Sequence, residues 1–370
     1  MDYGGHQVMT ACIVEGLCLY GSWQILGLLN PNNEKNISRW TDIKSKAGEE
    51  CLNIDFAATE TRKFQALRSR LFKRKQHLLL KQIQSFSPDL LLVIQGNIEQ
   101  SCSVFFLKKY LKCPIISYIP LPHKHAEMGA KLGTIRDLTC KRLYGIPDGF
   151  ITISVTLAEM LRAYGARKQK IQVVENGIPL EPYADAIEQK DVRKQLGLPE
   201  DGFLWGQAGR VEFKQKGQDM SLRVFCERAK THPDEFLVIL GSGPDDEMLK
   251  RLVENMPNVY YLPWMSDPVP FYSAIDALML PSRYEGVPLV MLEALANKKP
   301  VISTDRDGMC DWLPPEWRFA YRNVKAMLQC CENARNADGE LLERLKNKIY
   351  TSHSIVSLQK SFNAALEEWR

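Results

Sequence analysis

Short apolar runs recur along the chain, separated by longer stretches in which apolar residues return every three or four positions. Residues 87–95 (SPDLLLVIQ), 113–120 (CPIISYIP), 148–154 (DGFITIS) and 171–179 (IQVVENGIP) show no alternation with polar residues. Runs of this length without alternation read as strands of a parallel sheet, covered on both faces. Helices are expected at 8–19, around 99–111 and at 155–164, with another strand at 22–29. The pattern then restarts, with strands at 202–210, 235–244, 258–264, 276–282 and 299–305 separated by helical stretches. Repeated βα units on both sides of residues 175–200 predict an α/β protein made of two doubly wound domains. Ligands of such sheets lie outside the carboxyl ends of the strands, so two facing domains would share one cleft.

The segment 282–293 (SRYEGVPLVMLE) places one carboxylate before a helix and a second inside it. Pro288 suits the first helical turn, where its missing N–H costs nothing, and 289–296 consists of good helix formers. Glu293 then falls in the second turn, while Glu285 and Gly286 form the loop at the positive end of the helix. A helix tip with orphan N–H groups, a glycine and flanking acids can hold a phosphate while the carboxylates grip hydroxyls on either side. A nucleotide sugar, with its ribose, diphosphate and sugar, has that layout.

Composition narrows the class. The chain has 370 residues, 45% of them apolar, enough for two domains of ordinary size. The opening MDYGGHQ lacks the basic region of a secretory leader, and the uncharged stretch 16–30 is too short to span a bilayer. Ten cysteines lie scattered without metal-ligand spacing, and the expectation is reduced, mostly buried thiols in a cytoplasmic protein. The net charge of +4 divides unevenly: residues 1–173 carry 24 Lys and Arg against 14 Asp and Glu, residues 174–370 carry 24 against 30. The basic excess is densest at 61–84, with eight Lys or Arg and no acid. Phe64, Leu67, Leu71, Leu78 and Leu79 fall roughly on one helical face there. Two readings stand: a solvated face of an amphipathic helix, or a peripheral contact with an anionic membrane surface.

The second half resembles the donor domain of the GT-B glycosyltransferases of family 4, which transfer a sugar from a nucleotide-diphosphate donor with retention. The matching elements are NGIP (176–179), GRVEFKQKG (209–217), VILGSGP (238–244), LPWMSDP (262–268) and PSRYEGVPLVMLEALANKKPVIST (281–304). They stand in the family's order and together cover about 130 residues; the combination is specific although each alone is weak. The resemblance implies two Rossmann-like domains facing a cleft. The N-terminal, acceptor-side domain would be 1–174 and the donor domain 175–352, and a C-terminal helix, 353–370, would cross back with Val356, Leu358, Phe362 and Leu366 inward. It also implies that Arg210 and Lys216 contact the donor diphosphate. Glu285 would hold a donor-sugar hydroxyl, Glu293 the ribose, and the amides near Leu289 and Val290 a phosphate. Backbone around Leu262 and Trp264 would select the base. A hexose would pass to a glycan or lipid-linked hydroxyl, without cofactor, metal or nucleic acid. DRD at 305–307 is read as a loop, not a metal site.

The first half matches more loosely, through the glycine pair Gly4 and Gly5, SPDLLLV, CPIISYIP and DGFITISVTLAEML. Gly4 and Gly5 would admit close approach of backbone to the donor phosphates. A histidine of PLPHKHAEMG would touch the sugar or acceptor, His123 being favoured over His125, with Lys124, Lys131 and Arg136 facing an acidic acceptor. Family members lead into the glycine pair with a central strand, which this sequence lacks. Its loss would leave backbone groups unpaired on both neighbouring strands, so the expectation is a product that starts upstream. A nucleotide-sugar epimerase, a sugar phosphorylase and a non-catalytic nucleotide-sugar binder are the competing functions.

Overall fold

A computed structural model of the chain describes residues 5–57, 62–71, 73–183 and 188–370. It divides into two compact units, one of Met1–Asn176 with Ile355–Arg370, the other of Gly177–Ser354.

The first unit contains strands β1 (Ile25–Leu29), β2 (Leu52–Phe56), β3 (Leu91–Ile94), β4 (Ile115–Tyr118), β5 (Gly149–Thr152) and β6 (Lys170–Val173). Among the described residues they form two parallel sheets, β1-β2 and β3-β4-β5-β6. β4 and β5 are buried at every position, as their uninterrupted apolar sequences require. A cavity of about 760 Å³ lies between the unpaired edges of β1 and β3, lined by both strands and by His6, Thr10, Leu79 and Leu366.

The helix Gly5–Tyr20 packs against the terminal helix Ile355–Glu367. A Cβ on Gly16 would lie 2.4 Å from the Gln359 side chain, and Gln359 Nε2 donates to the Cys12 carbonyl at 3.0 Å. Trp23 Nε1 donates to Asn363 Oδ1 (2.6 Å) and Trp369 Nε1 to Gln172 Oε1 (2.9 Å). Leu358, Phe362 and Leu366 are buried, whereas Val356, expected among them, is 43% exposed because it lies on the solvent side of the helix.

Several details differ from the sequence-based expectations. The basic segment forms two helices, Gln65–Leu71 and Lys73–Phe86, and buries Gln65, Ala66, Ser69, Gln76, Leu79 and Ile83. Leu67, Leu71 and Leu78 point outward instead. Residues 102–110 form a 3-10 helix where an α-helix was expected, following Ser101 in the left-handed region (φ 54°). β2 was not anticipated, because LNIDF carries an acid and is exposed along one side. Of the ten free cysteines only Cys102, Cys140, Cys330 and Cys331 are buried, and Cys226 is exposed.

The second unit holds β7 (Phe203–Ala208), β8 (Glu235–Leu240), β9 (Val259–Leu262), β10 (Ala277–Leu280), β11 (Val301–Thr304) and the short β12 (Arg318–Phe319). They make one parallel sheet in the order β12-β11-β10-β7-β8-β9. The chain winds outward from β7 to β9, returns to β10 and winds the other way. The strand order therefore reverses between β7 and β10, which is where doubly wound sheets bind ligands. Gly206 in β7 lets Ile275 and Phe271 press onto the sheet; a Cβ there would sit 2.7 Å from each.

One buried ion pair sits under this sheet. Arg228 Nε donates to Glu235 Oε2 and Arg228 Nη2 to Oε1, both at 2.5 Å, Trp205 Nε1 adds a bond to Oε2 at 2.8 Å, and Arg335 contacts the same carboxylate. Burial alone would raise the Glu235 carboxyl, but these donors outweigh it and hold it below the ordinary glutamate value. A depressed carboxyl contributes stability above its unfolded value and loses it as pH falls. Glu235→Ala should therefore cost about 3–5 kcal/mol at neutral pH by leaving Arg228 buried and unpaired. Urea titration checks this, and the deficit relative to wild type should shrink on acidification.

Candidate functional site

Two loops meet at the reversal point of the second unit. The first, following β7, begins at Gly209 (φ 135°) and runs through Arg210 and a short helix, Phe213–Lys216, to Gly217 (φ 69°). Only glycine suits Gly217: its conformation is left-handed, and a Cβ would lie 2.4 Å from the Pro281 carbonyl of the second loop. The second loop follows β10, from Pro281 to Pro288. The Arg283 amide donates to the Gln215 carbonyl at 2.7 Å, stitching the two together. Gln207 Nε2 and Gln218 Nε2 fix the first loop by donating to the carbonyls of Lys216 (2.9 Å) and Arg210 (3.0 Å).

This stitching brings Lys216 and Glu285 together, Nζ to Oε1 at 2.5 Å. Glu285 is buried and its amide donates to Asp307 Oδ2 at 2.9 Å. Asp307 itself is held in the left-handed region (φ 59°), and backbone strain of this kind persists only where the surroundings enforce it. Asp305, its companion in DRD, accepts from Arg318 Nη1 at 2.7 Å. Both carboxylates are thus engaged by protein groups. Arg210 is more open, 43% exposed along its side chain with Glu212 at 3.5 Å.

The helix after the second loop is Leu289–Ala296, and Pro288 stands just before it with extended backbone (ψ 130°) rather than in its first turn. Its carbonyl accepts from the amides of Met291 (3.1 Å) and Leu292 (3.4 Å). Helix geometry leaves the amides of Leu289 and Val290 without an intrahelical acceptor, and both residues are partly exposed beside Gly286. Glu293 lies one turn further in, where Tyr272 donates its hydroxyl to Oε2 at 2.5 Å. Burial raises the Glu293 carboxyl above its ordinary value, and the tyrosine hydroxyl pulls the other way. Leu262 ends β9, its carbonyl accepting from the Gly241 amide. Trp264 is 69% exposed, with its amide on Ser242 Oγ at 3.2 Å.

Arg210, Lys216, Glu285, Gly286, Leu289, Val290 and Glu293 therefore all belong to the loops and helix that follow the central strands β7 and β10. The sequence reading did not single out Asp307 as the anchor of Glu285 or Tyr272 as the partner of Glu293. The sequence reads DRD as a loop, with no role assigned to Asp307, and nothing local to Tyr272 marks it.

In the first unit Gly5 opens the helix Gly5–Tyr20, while Gly4 lies outside the described residues. His123 is fully buried. His125 is held between Glu99 Oε2 on Nε2 (3.1 Å) and Asp137 Oδ1 on Nδ1 (3.2 Å). Arg136, expected to face an acceptor, turns inward to the same Glu99, Nε to Oε2 at 3.0 Å. Lys124 covers the Tyr164 ring at 4.2 Å.

Residues 188–316 match the family model described as glycosyl transferases group 1. These residues carry a glycosyl transferases group 1 domain, and the fold of the chain is that of the GT-B glycosyltransferases. An uncharacterized glycosyltransferase of Methanocaldococcus jannaschii is 25% identical over 253 residues, 66% of this chain and 62% of that protein. The UDP-Gal:alpha-D-GlcNAc-diphosphoundecaprenol alpha-1,3-galactosyltransferase of Escherichia coli is 33% identical over 150 residues, 38% of each chain. The chain thus spans less than two thirds of the length of these curated relatives. The crystal structure of HepE of Anabaena with UDP-glucose superposes with a TM-score of 0.74 at 14% identity, covering 99% of this chain and 97% of that one. At that identity the likeness concerns the fold. The match over 188–316 covers Arg210, Lys216, Glu285, Glu293, Leu289, Val290, Tyr272 and Asp307, so these carboxylates and cations sit inside the matched domain.

Tyr272→Phe removes the one group that lowers the Glu293 carboxyl, so Glu293 should titrate at higher pH in the variant than in wild type. Carbon-13 NMR of the glutamate carboxyls measures this directly. An unchanged titration would show that the hydroxyl does not control Glu293.

Proposed function

We propose that the protein is a retaining family 4 enzyme. It would transfer a hexose from a nucleotide-diphosphate sugar to a hydroxyl of a glycan or lipid-linked acceptor in polysaccharide or glycolipid biosynthesis. The observation that carries this is the Lys216–Glu285 contact at the tip of the helix Leu289–Ala296. It gathers a cation for a leaving phosphate, an acid for a sugar and orphan amides for an anion into one place.

In this reading Arg210 and Lys216 neutralise the diphosphate. Arg210 offers a planar fork and Lys216 a compact charge with three donors. As the bond from the anomeric carbon to phosphate oxygen breaks, negative charge grows on that oxygen, so these cations stabilise the transition state more than the ground state. The amides of Leu289 and Val290 complete the phosphate cradle, beside Gly286. Glu285 accepts from a sugar hydroxyl and offsets positive charge at the anomeric carbon, and Glu293 accepts from the ribose. Backbone near Leu262 and Trp264 contacts the base. The acceptor oxygen forms the new bond on the face that the phosphate leaves, and its proton passes to the departing phosphate oxygen. Gly4, Gly5 and His123 would serve the donor or acceptor from the first unit. No metal or cofactor takes part.

The name of the Escherichia coli relative gives a diphosphoundecaprenol-linked acceptor, which supports a lipid-linked acceptor here. No described helix is long and apolar enough to cross a membrane, and the basic residues of 61–84 suit a peripheral position on an anionic cytoplasmic surface.

Nucleotide release from UDP-, GDP- and ADP-sugars, with acceptor and without, tests the reading. An epimer formed from donor alone would make the protein an epimerase, and binding without turnover would make it a non-catalytic module. Glu285→Gln should lower turnover by about 10²-fold through lost electrostatic stabilisation of the transition state. Near-normal turnover would remove Glu285 from the mechanism.

A further inference from the structure

Two helices of the first unit lie side by side with their leucines outward. Arg70, on the helix Gln65–Leu71, donates from Nη2 to the Thr139 carbonyl on the helix Gly133–Cys140 at 3.1 Å. The Arg136 guanidinium covers the Phe64 ring at 5.9 Å. Leu71 and Leu138 flank the Arg70–Thr139 bond in sequence, and they are 66% and 75% exposed. Leu67, Leu132 and Ile135 are exposed as well. A surface that displays five large aliphatic side chains on two touching helices marks an interaction site.

Backbone conformation gives a second, independent sign. Phe64 and Leu132, the residues that open these two helices, both occupy the left-handed region, at φ 60° and 56°. That conformation is unfavourable for a bulky residue. At Leu132 the strain delivers a leucine into water, where it gains nothing in the free protein.

Charge selects the partner. Lys63, Lys73, Arg74, Lys75, Lys131 and Lys141 stand close in sequence to these leucines and are exposed. The one acid within 131–142, Asp137, is turned to the backbone, accepting from the amides of His125 (2.7 Å) and Ala126 (3.0 Å). The segment 61–84 has no acid at all. Exposed aliphatic side chains interspersed along the chain with exposed cations match the interface of a bilayer with anionic headgroups. The leucines enter the acyl boundary and the lysines meet phosphate.

We infer that this face, Leu67 and Leu71 with Leu132, Ile135 and Leu138 and the cations close to them in sequence, docks the protein on an anionic membrane. The surface narrows the peripheral position of the proposed function to one face and adds a second helix that lies outside the basic segment. It sharpens the lipid-linked reading, yet it can be measured without turnover, so the two fail separately.

Co-sedimentation of the full chain with vesicles of phosphatidylcholine alone, or mixed with phosphatidylglycerol, tests it. Wild type should pellet with the mixed vesicles and not with phosphatidylcholine alone, and added salt should weaken the binding. Leu138→Glu should reduce binding about tenfold, the effect of keeping one leucine in water, with an unchanged melting temperature because the residue is exposed. Leu252→Ser, at an exposed leucine of the second unit, should bind like wild type. Equal binding by Leu138→Glu and wild type, or no pelleting with either vesicle, would overturn the inference. Self-association that Leu138→Glu abolishes, without vesicle binding, would instead make the face an interface between copies and equally overturn it.

Discussion

The contact between Lys216 and Glu285 depends on a loop anchored from below. Two loops separated by 60-odd residues can bring opposite charges to 2.5 Å only if their backbones are already fixed. Gly217 permits the close crossing over Pro281, the Arg283 amide ties the loops, and Asp307 holds the Glu285 backbone. Each constraint acts on the backbone of the loops, so Lys216 and Glu285 do not carry the cost of ordering them. This is the arrangement expected where a site must be set before its ligand arrives.

Much of the second unit was legible because its strands are long apolar runs with one solution, burial in a parallel sheet. Glu285 and Glu293 were legible because their spacing is local: one precedes a helix, the other lies one turn into it. Asp307 and Tyr272 act on those residues across the fold, and no periodicity or neighbouring residue announces such a contact. The outward leucines of 65–71 failed for another reason. Helical spacing shows which residues share a face, but the choice of face fell to Gln65, Ser69 and Ser103, whose buried polar side chains hydrogen-bond one another at 2.7–3.3 Å. A satisfied polar cluster took the place that an apolar stripe was expected to fill.

The first unit shows what a parallel sheet loses when its ladder is interrupted. β1 and β3 border one cavity, and among the described residues neither pairs with the other. The two sheets are therefore held by side chains rather than by one ladder. Trp40 packs onto Gly27 of β1, where a Cβ would be 2.5 Å from its ring, the terminal helix anchors the first helix, and Trp369 just beyond it bonds Gln172 of β6. Stability of this kind rests on a few large contacts, so the β1–β2 pair is the part of the fold most dependent on its helices.

The charge imbalance of the chain would seem to oppose the proposed donor, because the half that carries the candidate phosphate ligands is net acidic. Distance resolves the conflict. Charges further than about 8 Å apart in solvent are largely screened at physiological ionic strength, so the surface acids of the second half add little at the helix tip. What counts there is local: two cations, two orphan amides and the two acids. Lys216 offers three donors, so it can keep Glu285 while reaching a phosphate oxygen. In the proposed reaction the carboxylate would hold the lysine in place, ready for the negative charge that builds on the leaving oxygen.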